Sequence, residues 1–175
     1  MTAQAYYADG DPGPIVAALA NVPELLEAAM PFLGVIFAPS ALPLRTKEIV
    51  VLRTSALLAC RYCVDAHTVV ARDAGMSLEE VVGLRGEAEE VPFTDPADRA
   101  LLAWIDVAAL GPGVPPTAVA EELAFHFTEA EIVELTMLIG ATLMLNRFAT
   151  SIGLPTSVET LQRLAADGLV VEATG

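Results

Sequence analysis

Residues 56–75, ALLACRYCVDAHTVVARDAG, hold the chain's two cysteines, Cys60 and Cys63, and His67 four positions further on. On a helix, neighbours three and four apart share a face, so Cys60, Cys63 and His67 fall on one stripe. The stripe admits three interpretations. Cysteine packs as a small hydrophobe, so the pair can be core. Cys60, Cys63, His67 and the distant His126 supply the four ligands of a zinc site, although four-residue spacing inside one helix leaves little loop to wrap an ion. In the third, the imidazole takes the Cys63 proton, and Cys60 closes a disulfide once a sulfur is oxidised. Attachment of a c-type haem is excluded, because Val64 stands where its histidine would follow the second cysteine.

Gly75 is a natural stop for this helix, expected from about Ala59 to Ala74. Upstream, Leu44–Leu58 suits a buried helix through Ile49, Val50, Leu52, Leu57 and Leu58. In one unbroken helix Glu48 would lie about 18 Å from Cys60 at 1.5 Å per residue. A reversal near Leu58–Ala59 would bring the two helices side by side and return Glu48 to the level of His67. There a carboxylate orients the imidazole, as in nucleophile–base–carboxylate sites. If Cys60 lies in the first turn after the bend, free backbone N–H groups also favour a negative sulfur.

Outward from this hairpin the chain predicts an all-α bundle. Residues 1–14 look like an irregular arm, and 15–175 a single domain. A helix from Pro23 should be kinked or divided at Pro31. Ser77 with Glu80 and Thr128 with Glu131 make capping boxes. Asp95-Pro96 starts RALLAWIDVAAL, in which Trp104 is core, and GPGVPP at 111–116 is a linker. The helix after Thr128 is apolar on nearly every side around Leu135–Leu145, so it must be central or buried against another subunit. Asn146-Arg147 interrupts it and can cap its end, meet a neighbour or line a pocket. A last helix follows in SVETLQRLAADGLV.

EIVVL at 48–52 echoes EIVEL at 131–135, an offset of 83 residues. The offset sets Leu143 against Cys60, Asn146 against Cys63 and Thr150 against His67. A degenerate second copy of the hairpin would explain it, and so would chance likeness between apolar helices.

Twenty-three acidic against nine basic residues give a net charge of −14, which opposes nucleic acid and anionic membranes. Five of the nine basic residues, Arg45, Lys47, Arg53, Arg61 and Arg72, flank the cysteines. They either favour a thiolate locally or mark helix faces turned to water. The longest charge-free run, 28–44, is broken by three prolines, and no span or secretory signal is expected, so the protein reads as cytoplasmic. His126, between two phenylalanines, is expected to be structural; Tyr62 and Asp65 point off the Cys63 stripe, where either can border the pocket.

Glu48, Cys60-Arg-Tyr-Cys63 and His67 together resemble the E-x11-C-x2-C-x3-H signature of the alkylhydroperoxidase D-like proteins, in the carboxymuconolactone decarboxylase superfamily. The likeness is strongest from Leu44 to Gly75. It implies a compact all-helical bundle, a trimer or hexamer of identical chains, and a thiol peroxidase without metal or organic cofactor. Hydrogen peroxide or an organic hydroperoxide would be the oxidant, and a lipoyl or thioredoxin-like protein the external thiol reductant. It also implies that Cys63 attacks the peroxide, Cys60 resolves, and Glu48 and His67 relay the proton. Tyr62 replaces an additional histidine of the best-studied type. The decarboxylase branch generally lacks the dithiol, so decarboxylation fits poorly. The alternatives are a redox-sensing oligomeric protein with little peroxidase turnover, or a zinc-stabilised structural protein.

Overall fold

The structure, a computed structural model, describes residues 12–111 and 113–169, and among them every regular element is a helix. In chain order these are α1 (Pro14–Leu19), α2 (Pro23–Phe37), α3 (Leu44–Leu57), α4 (Arg61–Asp73), α5 (Leu78–Leu84), α6 (Pro96–Leu110), α7 (Thr117–His126), α8 (Glu129–Ile152) and α9 (Val158–Ala166).

The hub is α3, packed chiefly on α4, α6 and α8. Ile49, Val50, Val51 and Leu52 are consecutive and all buried, so this helix is enclosed on every side. They meet Leu101 and Ile105 of α6 and Leu135, Leu138 and Ile139 of α8 in the main core. Burial of each such side chain contributes about 1.5–3 kcal/mol. Charge is admitted to this interior only with partners. The buried Lys47 ammonium donates to the Ile36 and Ala38 carbonyls at the end of α2 and pairs with Glu134 of α8 at 2.6 Å.

Local signals set most boundaries. Both expected capping boxes form, at Ser77/Glu80 and Thr128/Glu131, and Asp95 caps α6 by accepting from the Ala97 N–H. Several expectations need correction. Residues 1–11 of the anticipated arm lie outside the described residues, and its end already belongs to α1, which begins at Pro14. Pro31 does not divide α2, whose helix runs through it. Pro31 is exposed, so the carbonyl it leaves unbonded can be hydrated. Asn146 does not cap a helix end: it is buried within α8 and donates to the Thr142 carbonyl. Nor does the 83-residue echo produce a second hairpin, because α8 runs straight through the position matching the bend. By length and composition α8 could also cross a membrane, a candidate the charge-free run at 28–44 did not reveal; in this fold it packs on α2, α3, α4, α6 and α7.

The turn between α3 and α4 closes by two backbone bonds, Ala59 N–H to the Ala56 carbonyl and Cys60 N–H to that of Ser55. This is the Schellman arrangement, which places one residue in the left-handed region. The turns at Gly75, Gly86, Gly153 and Gly168 make the same pair of bonds. Each uses glycine, whereas the turn into α4 uses Ala59 at φ 51°.

Candidate functional site

The Ala59 turn makes α3 and α4 antiparallel neighbours, and the consequences reach Glu48. Its buried carboxylate sits one strand of helix across from α4, with Oε2 2.9 Å from Nδ1 of His67. His67 is partly exposed and lies beside the tilted ring of Phe37, centroids 6.2 Å apart. Burial by itself would lower the imidazole pKa. The charge and hydrogen bond of Glu48, then the negative sulfur of Cys60, outweigh it and raise the pKa above the ordinary histidine value.

Cys60 is the N-cap of α4 and Cys63 stands one turn inside. Both are buried free thiols, clustered with Tyr62 and with Ala149 of α8, while Ile15 of α1 and Leu154 pack against the group. The two sulfurs interact unequally. A hydrogen bond from the Cys63 thiol draws the Cys60 pKa down to about 6 against the opposing effect of burial. The Cys63 backbone N–H, the Thr150 hydroxyl and the charge of His67 act in the same direction. Cys63, as the donor to Cys60, is pushed up, with burial and the negative Cys60 adding to the shift.

The flanking basic residues do not produce this asymmetry. Arg45 is held by Glu80 and Asp98, Lys47 by Glu134, Arg53 by Asp106, Arg61 by Asp65 and Arg72 by Asp167. The cluster of positive charge read from the sequence is therefore neutralised pair by pair. Asp65 lies off the cysteine stripe, bound by Arg61 and Thr156 with Arg85 nearby, whereas Tyr62 joins the cysteine cluster. His126 ends α7, its Nε2 3.3 Å from Glu122, and Trp104 packs against the main core. Among the described residues no three of His, Cys, Asp and Glu assemble as a metal-ligand set.

Five neighbours of the site were not assigned to it from sequence: Ile15, Phe37, Ala149, Thr150 and, just beyond α8, Leu154. They come from α1, α2 and α8 or its end, and no local pattern links them to the cysteine motif. Thr150 drew notice only as the counterpart of His67 in the 83-residue echo.

The sequence model of the carboxymuconolactone decarboxylase family matches residues 23–106, which include the whole constellation. The uncharacterized protein YdfG of Bacillus subtilis (strain 168) is 28% identical over 112 residues, covering 62% of this chain and 74% of that protein. A solved structure from Agrobacterium tumefaciens is 30% identical, with a TM-score of 0.73, and covers 81% of this chain and 96% of its own. It is described as a protein of unknown function proposed to be the antioxidant-defence protein AhpD. At 23% identity, an uncharacterized peroxidase-related protein with an AhpD core, from Ralstonia eutropha JMP134, shares the fold with a TM-score of 0.74 over 82% of this chain and 76% of its own. Hinged at Ala59 and matched in both sequence and fold, this chain belongs to the carboxymuconolactone decarboxylase family as an AhpD-like member.

Proposed function

We propose that the chain is a dithiol peroxidase that reduces hydroperoxides through Cys60, Cys63, His67 and Glu48. The observation that carries this reading is the 2.9 Å Glu48–His67 pair beside two interacting free thiols. That combination supplies a nucleophile, a resolving thiol and an oriented proton carrier. A thiolate attacks the terminal oxygen of the hydroperoxide; the S–O bond forms, the O–O bond breaks, and the alkoxide leaves with a proton from the imidazolium. The second thiol then displaces water from the sulfenic acid to give the disulfide. The peroxide gains two electrons and the dithiol loses two. In the assignment carried by the family resemblance, Cys63 attacks and Cys60 resolves. An external thiol, such as a lipoyl or thioredoxin-like protein, returns the pair to the reduced state. The antioxidant description of the Agrobacterium relative favours the same reading.

The test is hydroperoxide-dependent formation of the Cys60–Cys63 disulfide in metal-free protein, followed through turnover with a dithiol reductant. Turnover is expected in wild type and lost in both C60S and C63S. A protein that consumes no hydroperoxide and forms no disulfide overturns the reading.

We further propose that the chain assembles as a trimer or hexamer. Support comes from the apolar surface of two helices: Leu25, Phe32 and Val35 on α2, and Val133, Met137 and Met144 on α8, are all exposed. Light scattering should give three or six chain masses, and M137K with M144K should reduce that mass.

A further inference from the structure

We propose that α1 is a hinged cover over the dithiol, and that lifting Ile15 off the cysteine cluster is the step that lets a protein-sized thiol reach the Cys60–Cys63 pair. The need for such a reductant rests on the peroxidase reading; the cover itself does not.

The site is closed where exchange would take place. Cys60 is 1% exposed and Cys63 5%, and Glu48 is buried as well. Of the four residues of the constellation only His67 reaches solvent, with 27% of its side chain exposed. Reduction of the disulfide by an external dithiol requires a thiolate of the reductant to attack one sulfur of the pair, forming a mixed disulfide and releasing the other cysteine. The second thiol of the reductant then closes its own disulfide and frees the first cysteine. Two electrons and two protons pass to the pair, and the rate depends on access to the attacked sulfur. A folded partner has no such access while both sulfurs are enclosed.

Two apolar side chains pack on the cysteine cluster from outside the α3–α4 hairpin, Ile15 and Leu154, and they are held differently. The Leu154 N–H is bound to the Ala149 carbonyl at the end of α8, and two residues further on the Thr156 hydroxyl donates to Asp65 of α4. That segment is tied to α8 on one side and to α4 on the other. Ile15 belongs to α1, which is six residues long and packs chiefly on α2. A helix so short does not sustain itself in water, so α1 keeps its place through packing.

The junction of α1 with α2 has the form of a hinge. The Ala20, Asn21 and Val22 N–H groups bond back to the Val16, Ala18 and Leu19 carbonyls, and the Asn21 side chain donates to those of Ala17 and Ala18. Helix α2 then begins at Pro23. Rotation at residues 20–22 carries Ile15 outward with α1 intact. The cysteine cluster is separate from the main core around Ile49–Leu52, so this movement leaves the core packed.

Cysteine accessibility in the reduced full-length protein tests the cover without peroxide or reductant. Cys60 and Cys63 are the only cysteines, so the mass increase counts both. Labelling is timed with a polyethylene-glycol maleimide of protein size. Wild type should label far more slowly than the urea-unfolded chain. I15A should speed labelling by about tenfold, the effect of truncating one partly buried isoleucine on an opening equilibrium. I15V should fall between the two, and L154A, on the doubly tied segment, should change the rate by no more than about twofold. Hydrogen exchange separates a local lift from general loosening: in I15A the α1 amides should exchange faster while those of α3 keep the wild-type rate. The proposal is overturned by I15A labelling at the wild-type rate, by L154A matching I15A, by wild type labelling as fast as the unfolded chain, or by α3 exchange rising in step with labelling. A protein that shows the I15A effect but consumes no hydroperoxide would sink the peroxidase function and leave the cover standing; turnover without the I15A effect would do the reverse.

Discussion

The α3–α4 hairpin and α8 begin alike, with EIVVL in one and EIVEL in the other, yet one bends after Leu57 and the other continues to Ile152. The bend is not marked by glycine or proline. Ala59 takes the left-handed conformation that glycine takes at the other turns of this type, at a cost of about 1 kcal/mol. What the bend achieves is chemical. It frees the first N–H groups of α4 beside Cys60 and folds Glu48 back onto His67. In α8 the positions matching Cys60 and Cys63 are Leu143 and Asn146, and an unbroken ladder of backbone bonds leaves no free N–H groups there. Two pentads that differ at one position thus lead to a reactive corner in one place and a structural rod in the other.

The largest expected effect comes from removing the sulfur atoms that distinguish the two regions. C60S or C63S should each abolish catalytic hydroperoxide turnover, measured by peroxide consumption with a dithiol reductant. Next, E48Q keeps the shape of the buried side chain but removes its charge. His67 should then titrate at lower pH, visible by NMR, and turnover should fall by about a hundredfold, in the range of a lost general acid–base contribution.

A third test concerns stability against pH. The Cys60 pKa is about 6 when folded, below its ordinary thiol value of 9.0. Between those values the unfolded chain binds more protons, so the stability contributed by the thiolate rises with pH and is lost as pH falls through 6. Wild type should therefore gain on C60S in thermal melts taken from pH 6 to 9. His67, with its pKa raised, acts in the opposite sense. Its contribution is complete below its unfolded value and declines as pH rises through the folded one.

The smallest effect tests the bend itself. A59G should stabilise by about 0.5 kcal/mol, the relieved strain exceeding the added freedom of the unfolded chain. G75A, at φ 91° with open space around the added methyl, should destabilise by about 1 kcal/mol through backbone strain alone. Denaturant titration of both variants would separate the two kinds of turn.

How much was legible in the sequence follows from the range of each interaction. Capping boxes, the Asp95 cap and the Gly75 stop depend on residues within a few positions, and they stand where the local chemistry puts them. The common stripe of Cys60, Cys63 and His67 follows from helical spacing. Glu48 was harder, because its approach to His67 depends on a reversal at an alanine. Thr150, Phe37 and Ile15 reach the site only through tertiary packing, so their spacing along the chain carries no signal. The short α1 lies between the expected arm and the helix expected from Pro23, where no element was foreseen. The basic cluster near the cysteines misled because each cation's carboxylate partner was invisible until the helices were assembled.

Lys47 and Glu48 are adjacent on α3 and about 100° apart around it. One is tied to the end of α2 and to Glu134 on α8, the other to His67 on α4. Any roll of α3 about its long axis would pull both ties at once, and the core packed around Ile49–Leu52 resists the same movement. The helix therefore behaves as a shaft keyed on two sides. The aim of the Glu48 carboxylate thus depends on the packing of the whole bundle as well as on its own rotamer.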